Sequence, residues 1–214
     1  MKIFYTVFLA FLIVLSSCEV DKSNSFEVLE IEHELLEYAP LCSKLFLESN
    51  IDSYVKVTVL GKNGDSLANI SHTFKAVNKE HEIIVMGLYR DFENSLIIEF
   101  FNDSNQKIAE EPYKIKTNST MGIKIPGKEL IASDKKNMEK GLTLISSYPL
   151  GCHAPFMVDH NGEIRWVLDY QDHPELKGLD YQCGIERLRN GNYYFGSIRT
   201  HKIYEISPWG DIIN

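Results

Sequence analysis

The chain has 214 residues, enough for one or two domains, and a formal net charge of -8. With 44% hydrophobic residues against 24% charged, it is a folding chain rather than a disordered one. The negative balance excludes a nucleic-acid or anionic-membrane partner held by a basic surface.

Residues 1–18 read as a targeting segment. Lys2 gives a positive start, and residues 3–15 form an apolar run of signal-peptide length, too short for a comfortable membrane span. The run ends Leu15-Ser16-Ser17-Cys18. Small residues before a cysteine resemble the bacterial lipobox, in which cleavage leaves a diacylated cysteine at the new N-terminus. On that reading residues 1–17 are a signal peptide, Cys18 is the lipidation site and residues 18–25 are a tether. Two acyl chains, at about 0.8 kcal/mol per buried CH₂, anchor stably to a membrane. The protein then belongs to the bacterial cell envelope, facing the periplasm or the cell surface. The alternative is an ordinary secretory signal cut near Ser17, with Cys18 a spare thiol. The compartment is oxidising, so Cys42, Cys152 and Cys183 are able to pair. A disulfide between Cys152 and Cys183 is the expected bridge, because both precede strands; three free thiols is the alternative.

Residues 26–118 read as seven short strands, at 26–33, 44–47, 54–60, 70–74, 81–85, 96–101 and 108–115. Val55, Val57 and Val59 alternate with Lys56 and Thr58, the pattern of a half-buried strand. Gly61-Lys62-Asn63-Gly64 and residues 102–106 are turns. Short strands at this spacing suggest an immunoglobulin-like β-sandwich. The Gly61 turn fails as a phosphate loop, because Lys62 follows the first glycine directly. His72 and His81 lack a neighbour at ligand spacing and read as surface or packing residues.

Residues 119–140 read as a linker: Pro126-Gly127 breaks the chain, and the charged stretch after it has no apolar period. From Gly141 onward the pattern is strand–turn–strand, with a first strand in residues 142–146. Asn161-Gly162 joins Phe156-Met157-Val158 to Ile164, Trp166 and Leu168. The pair supplies the positive φ angles of a two-residue hairpin. Asn190-Gly191 and Trp209-Gly210-Asp211 repeat the unit, so residues 141–214 look like the start of a β-sheet array.

Within this region Cys152, His153, His160, His173 and Cys183 stand at intervals of 1, 7, 13 and 10 residues. No interval recurs, so the pattern is not that of a zinc site, and no metal is expected. His160, beside a turn, is expected to be exposed, and Asp172-His173-Pro174 reads as a loop. Arg165, Arg187, Arg189 and Arg199 lie in or beside strands. Arginine forks bind sulfate and phosphate oxygens, although a solvated strand edge is the commoner place for them.

Four stretches carry a resemblance. They are Ala39-Pro40-Leu41; VTVLGKNG from Val57 to Gly64; HEIIVMGLY from His81 to Tyr89, with Asn94-Ser95-Leu96 after it; and PFMVDHNGEIRW from Pro155 to Trp166. In this order they resemble the bacterial arylsulfotransferases, the aryl-sulfate sulfotransferase family, over most of residues 26–214. The resemblance implies an all-β chain: an immunoglobulin-like sandwich, then the first blade or two of an incomplete β-propeller. It implies a reaction without a cofactor or nucleotide sulfate. A histidine takes a sulfuryl group from a phenolic sulfate and passes it to an acceptor phenol. In the family that histidine lies on later blades. The chain is therefore expected to be a truncated N-terminal portion, inactive alone, with no catalytic residue of its own. His201 is the histidine expected nearest an active-site rim. A homodimer is left open. The competing reading is a non-catalytic lipoprotein that binds a polysaccharide or a protein partner. A quinone-dependent dehydrogenase is the weaker enzyme alternative, since its tryptophan-rich repeats are missing.

Overall fold

The computed structural model describes residues 25–118, 131, 134, 137–145, 154–177, 185–197 and 201–214. Cys18 and its tether, most of the linker, Cys152, His153, Cys183 and Arg199 lie outside the described residues, and with them the lipidation site and the disulfide. The described residues are all-β, with two single 3-10 turns at Lys62–Gly64 and Ser66–Ala68.

Five antiparallel strands build the first region: β1 (Val28–Leu35), β2 (Cys42–Val59), β3 (Ile70–Met86), β4 (Glu93–Phe101) and β5 (Lys107–Lys116). β3 follows one side of β2 along its length. β1 and β4 share the other side, β1 on the first half of β2 and β4 on the second, and β5 pairs with β4. Two pairs of expected strands are thus single long strands. The reason is a bulge. Between the pairs Leu47↔His81 and Val55↔Phe74, β2 advances eight residues and β3 only seven. The extra residue shifts the inward set of β3 from His81, Ile83 and Val85 to the half-buried Ile70 and Phe74. Alternation therefore breaks across residues 75–80, and the sequence reads as a gap there.

The bulge also lets the sheet curl until β1 approaches β5. His33 Nδ1 lies 2.8 Å from the Tyr113 hydroxyl, and Phe26 packs 5.1 Å from the Phe100 ring. Leu45, Val57, Leu96, Ile98 and Phe100 fill the enclosed core. One curled sheet thus encloses the core that two layers of a sandwich would share.

The second region holds two three-stranded antiparallel sheets. The first is β6 (Thr143–Ile145), β7 (Phe156–Val158) and β8 (Ile164–Val167). The second is β9 (Ile185–Arg187), β10 (Tyr193–Ser197) and β11 (Lys202–Ile206). The expected hairpins are present, with Gly162 at φ +68° and Gly191 at φ +93° in their turns. The third unit closes through the bridge Ile206↔Ile212. Trp166 stacks on Tyr193 at 5.2 Å and donates its indole N–H to the Pro208 carbonyl at 2.7 Å, which ties the two sheets together.

The cores interlock across the regions. Ala154, Phe156 and Val167 complete the core of the curled sheet. Ala39, Cys42, Ile84 and Met86 of the first region pack into the cluster around Trp166, Leu168 and Phe195. Cys42 is a free, fully buried thiol whose pKa burial drives far up, so it is inert packing.

Candidate functional site

The densest polar cluster lies on the seam between the two regions. It is organised by Arg165 on β8, which has no exposed surface. The sequence favoured a solvated strand edge for this arginine; the structure buries it. Residues 165–168 are all fully buried, because one face of β8 meets the curled sheet and the other its own core. A buried guanidinium needs a carboxylate and hydrogen-bond acceptors. Its Nη1 donates to Asp159 Oδ2 at 3.0 Å, to the Ala68 carbonyl at 2.9 Å and to the Tyr89 hydroxyl at 2.8 Å. Its Nε donates to the Gly87 carbonyl at 2.8 Å. The guanidinium plane also covers the Tyr89 ring, 3.7 Å from its centroid. Three of the four hydrogen-bond partners belong to the first region.

Each partner is itself held. Asp159 accepts from the backbone N–H groups of Asn161 and Glu163, so the turn that carries Asn161-Gly162 also aims the carboxylate. The Tyr89 hydroxyl accepts from the Lys62 N–H at 3.2 Å and donates to Asp159 at 3.4 Å. Burial pushes the Tyr89 phenol above its usual pKa, which keeps it protonated as that donor. Gly87 sits at φ +92°, and a Cβ there would lie 2.4 Å from Ile70 Cδ1. Only glycine offers Arg165 its carbonyl in that place. Buried Asn94 fixes the loop after Gly87: its amide accepts from the Tyr89 N–H and donates to the carbonyls of Tyr89, Phe92 and Ile115.

A second tier rings the cluster. His160, expected in solvent, has a side chain only 7% exposed, with Nε2 2.9 Å from Asp65 Oδ2. Asn161 Nδ2 reaches the same oxygen at 2.9 Å. Lys62 pairs with Glu163 at 3.1 Å while its ammonium sits over the Tyr89 and Phe92 rings. His173 is also buried; it packs on Tyr38, and its Nδ1 accepts from the Glu175 and Leu176 N–H groups. Arg187, Arg189 and His201 are exposed.

Chemically the seam is a fastening. Arg165 is out of reach of a substrate anion, and Asp159, with four donors on it, is committed as an acceptor. The sequence reading missed Tyr89 and Asp65 as its anchors. One local signal was present: an aspartate ahead of Asn-Gly caps its own turn, here Asp159.

The family model of the arylsulfotransferase Ig-like domain matches residues 31–118, and that of arylsulfotransferase (ASST) matches residues 128–214. The chain belongs to the arylsulfotransferase family. It is similar to the arylsulfate sulfotransferase AssT of Escherichia coli O6:H1 (strain CFT073), 22% identical over 221 aligned positions. It is also similar to the AssT of Lelliottia amnigena, at 25% over the same length. Each alignment covers 82% of this chain and 36% of the relative, so the chain spans about a third of the curated relatives it matches.

Proposed function

We propose that this chain is the N-terminal part of an aryl-sulfate sulfotransferase, whose Ig-like sheet is fastened to the opening strands of a β-propeller. In the proposed reaction a histidine nitrogen attacks sulfur, the S–O bond to the aryl group breaks, and the phenolate leaves with a proton. The acceptor phenol then attacks sulfur, loses its proton, and the N–S bond breaks. Donors around the sulfuryl oxygens would stabilise both transition states. We place the nucleophile outside these 214 residues.

The observation that carries this reading is the commitment of the described histidines to structure. His160 is held by Asp65, His173 by backbone donors and His33 by Tyr113. His81 is buried, and its ring is kept below its usual pKa by desolvation. His72 lies edge-on to Phe74 at 4.7 Å. The relatives' greater length leaves room for a transfer site in the rest of a family member.

The assay is release of 4-nitrophenol from its sulfate ester with phenol as acceptor. The 214-residue chain alone should release none, and a chain extended with the remaining two-thirds of the E. coli relative should transfer. Turnover by the chain alone that His201→Ala abolishes would put the nucleophile here and overturn the proposal.

A further inference from the structure

A groove of about 780 Å³ opens between β3 and the second region. Sites for small molecules commonly span about 300–1,000 Å³ and form where domains meet. Its apolar wall comes from both sides: Ile84 and Met86 of β3, Leu144 of β6 and Met157 of β7. Two thioethers in one wall adapt well to a flat ring and make favourable sulfur–aromatic contacts. Trp209 adds an indole at the other side.

The charge of the rim selects the ligand further. Glu82 lines the groove, but Lys44 holds its carboxylate at 2.6 Å, which offsets the one acid among the lining residues. Arg187 lines the groove and is exposed. Its guanidinium lies beside the Tyr193 hydroxyl, a buried phenol that also lines the groove. A fork with five donors keeps several for an incoming oxyanion. In a chain of net charge -8, an apolar groove rimmed by an arginine is a local reversal of sign.

We propose that this groove binds an aromatic anion, with its ring between the methionines and Trp209 and its charged oxygens on Arg187. The site is separate from the buried Arg165 fastening. It requires no sulfuryl transfer, so it stands whether or not the chain is part of a transferase.

The probe is 2-naphthalenesulfonate, whose carbon–sulfur bond gives nothing to transfer, with neutral 2-naphthol as the control. Calorimetric titration of the 214-residue chain at pH 7 should show one sulfonate bound per chain. The methyl NMR signals of Met86 and Met157, two of five methionines, should move with it. Arg187→Gln should weaken the sulfonate about tenfold, the worth of one charge-assisted contact, and leave 2-naphthol unchanged. Arg187→Glu should reverse the preference towards 1-naphthylmethylammonium. Because Arg187 is exposed, circular dichroism of both variants should match the parent. The proposal is overturned if no sulfonate binds or if the two methyl signals stay in place. Equal binding of sulfonate and naphthol would also overturn it, as would an Arg187→Gln chain that binds the sulfonate as well as the parent.

Discussion

Replacing Arg165 with methionine tests whether the seam makes one cooperative unit of the two regions. The substitution keeps much of the stem volume but removes the charge and four hydrogen bonds, to Gly87, Ala68, Tyr89 and Asp159. The Asp159 side chain, 2% exposed, is then left charged and buried. Removing one partner of a buried pair costs about 3–5 kcal/mol. Asp159 keeps the N–H groups of Asn161 and Glu163, which places the expected loss near the lower end, at about 3 kcal/mol. For a chain of this length that lowers Tm by about 6–12 °C. Trp166, next in sequence and in the second core, reports the second region by fluorescence, while far-ultraviolet circular dichroism reports both. In the parent the two signals should fall together in urea; in Arg165→Met the Trp166 signal should fall first. Adding Asp159→Asn should recover part of the loss, because no charge then remains buried. A Tm change below about 2 °C with coincident transitions would refute the reasoning, since a lost buried pair must shift it further.

Two further outcomes follow from other residues. Lys56 at 2.6 Å, with Lys107 at 3.5 Å, holds the Glu99 carboxyl below its usual pKa of 4.5. A depressed carboxyl contributes stability above its unfolded pKa and loses it as pH falls through the lower folded value. Glu99→Gln should therefore lower Tm at pH 7, by about 1 kcal/mol given the partly exposed Lys56, and the gap should close below pH 4.5; a gap independent of pH contradicts the pairing. We also propose that Cys18 anchors the protein to the cell envelope. Cys18→Ala should move it from the membrane fraction to the soluble one, and an unchanged distribution removes the lipobox.

Much of the fold was legible because strand and turn signals are local. Asn161-Gly162 and Asn190-Gly191 mark hairpins through backbone conformation alone, and the valines of β2 alternate without interruption. The two long strands were not legible as single elements, because the bulge opposite Ser53 changes which residues of β3 face inward. The eight exposed or half-exposed positions from Thr73 to Glu80 then read as a connection. The seam was legible only in part. Asp159 and Arg165 sit six residues apart, but Arg165 to Gly87 spans 78 and His160 to Asp65 spans 95. No periodicity encodes a contact at that range. An arginine between isoleucine and tryptophan matches a polar-out alternation, and only a second packed layer turns that outward face into an interior one.

The stretches that carry the family resemblance converge on this seam. Ala39 is buried in the second core, and the Leu41 carbonyl accepts from the Leu88 N–H. Next to Ala39, the Tyr38 carbonyl accepts from the Asp169 N–H at 2.8 Å. The turn after Val59 brings Lys62 to Glu163 and Tyr89. Gly87-Leu88-Tyr89, braced by Asn94, receives Arg165, and the stretch from Pro155 to Trp166 supplies Asp159, His160 and Arg165. A solvent-facing residue is free to vary, whereas a buried charge with four fitted acceptors is not: changing either side alone leaves an unsatisfied group that costs several kcal/mol. Motifs of this kind keep their spelling because both sides must change together. They identify the family through how its Ig-like sheet is joined to the strands that follow, and they leave the chemistry to residues that this joint holds in position.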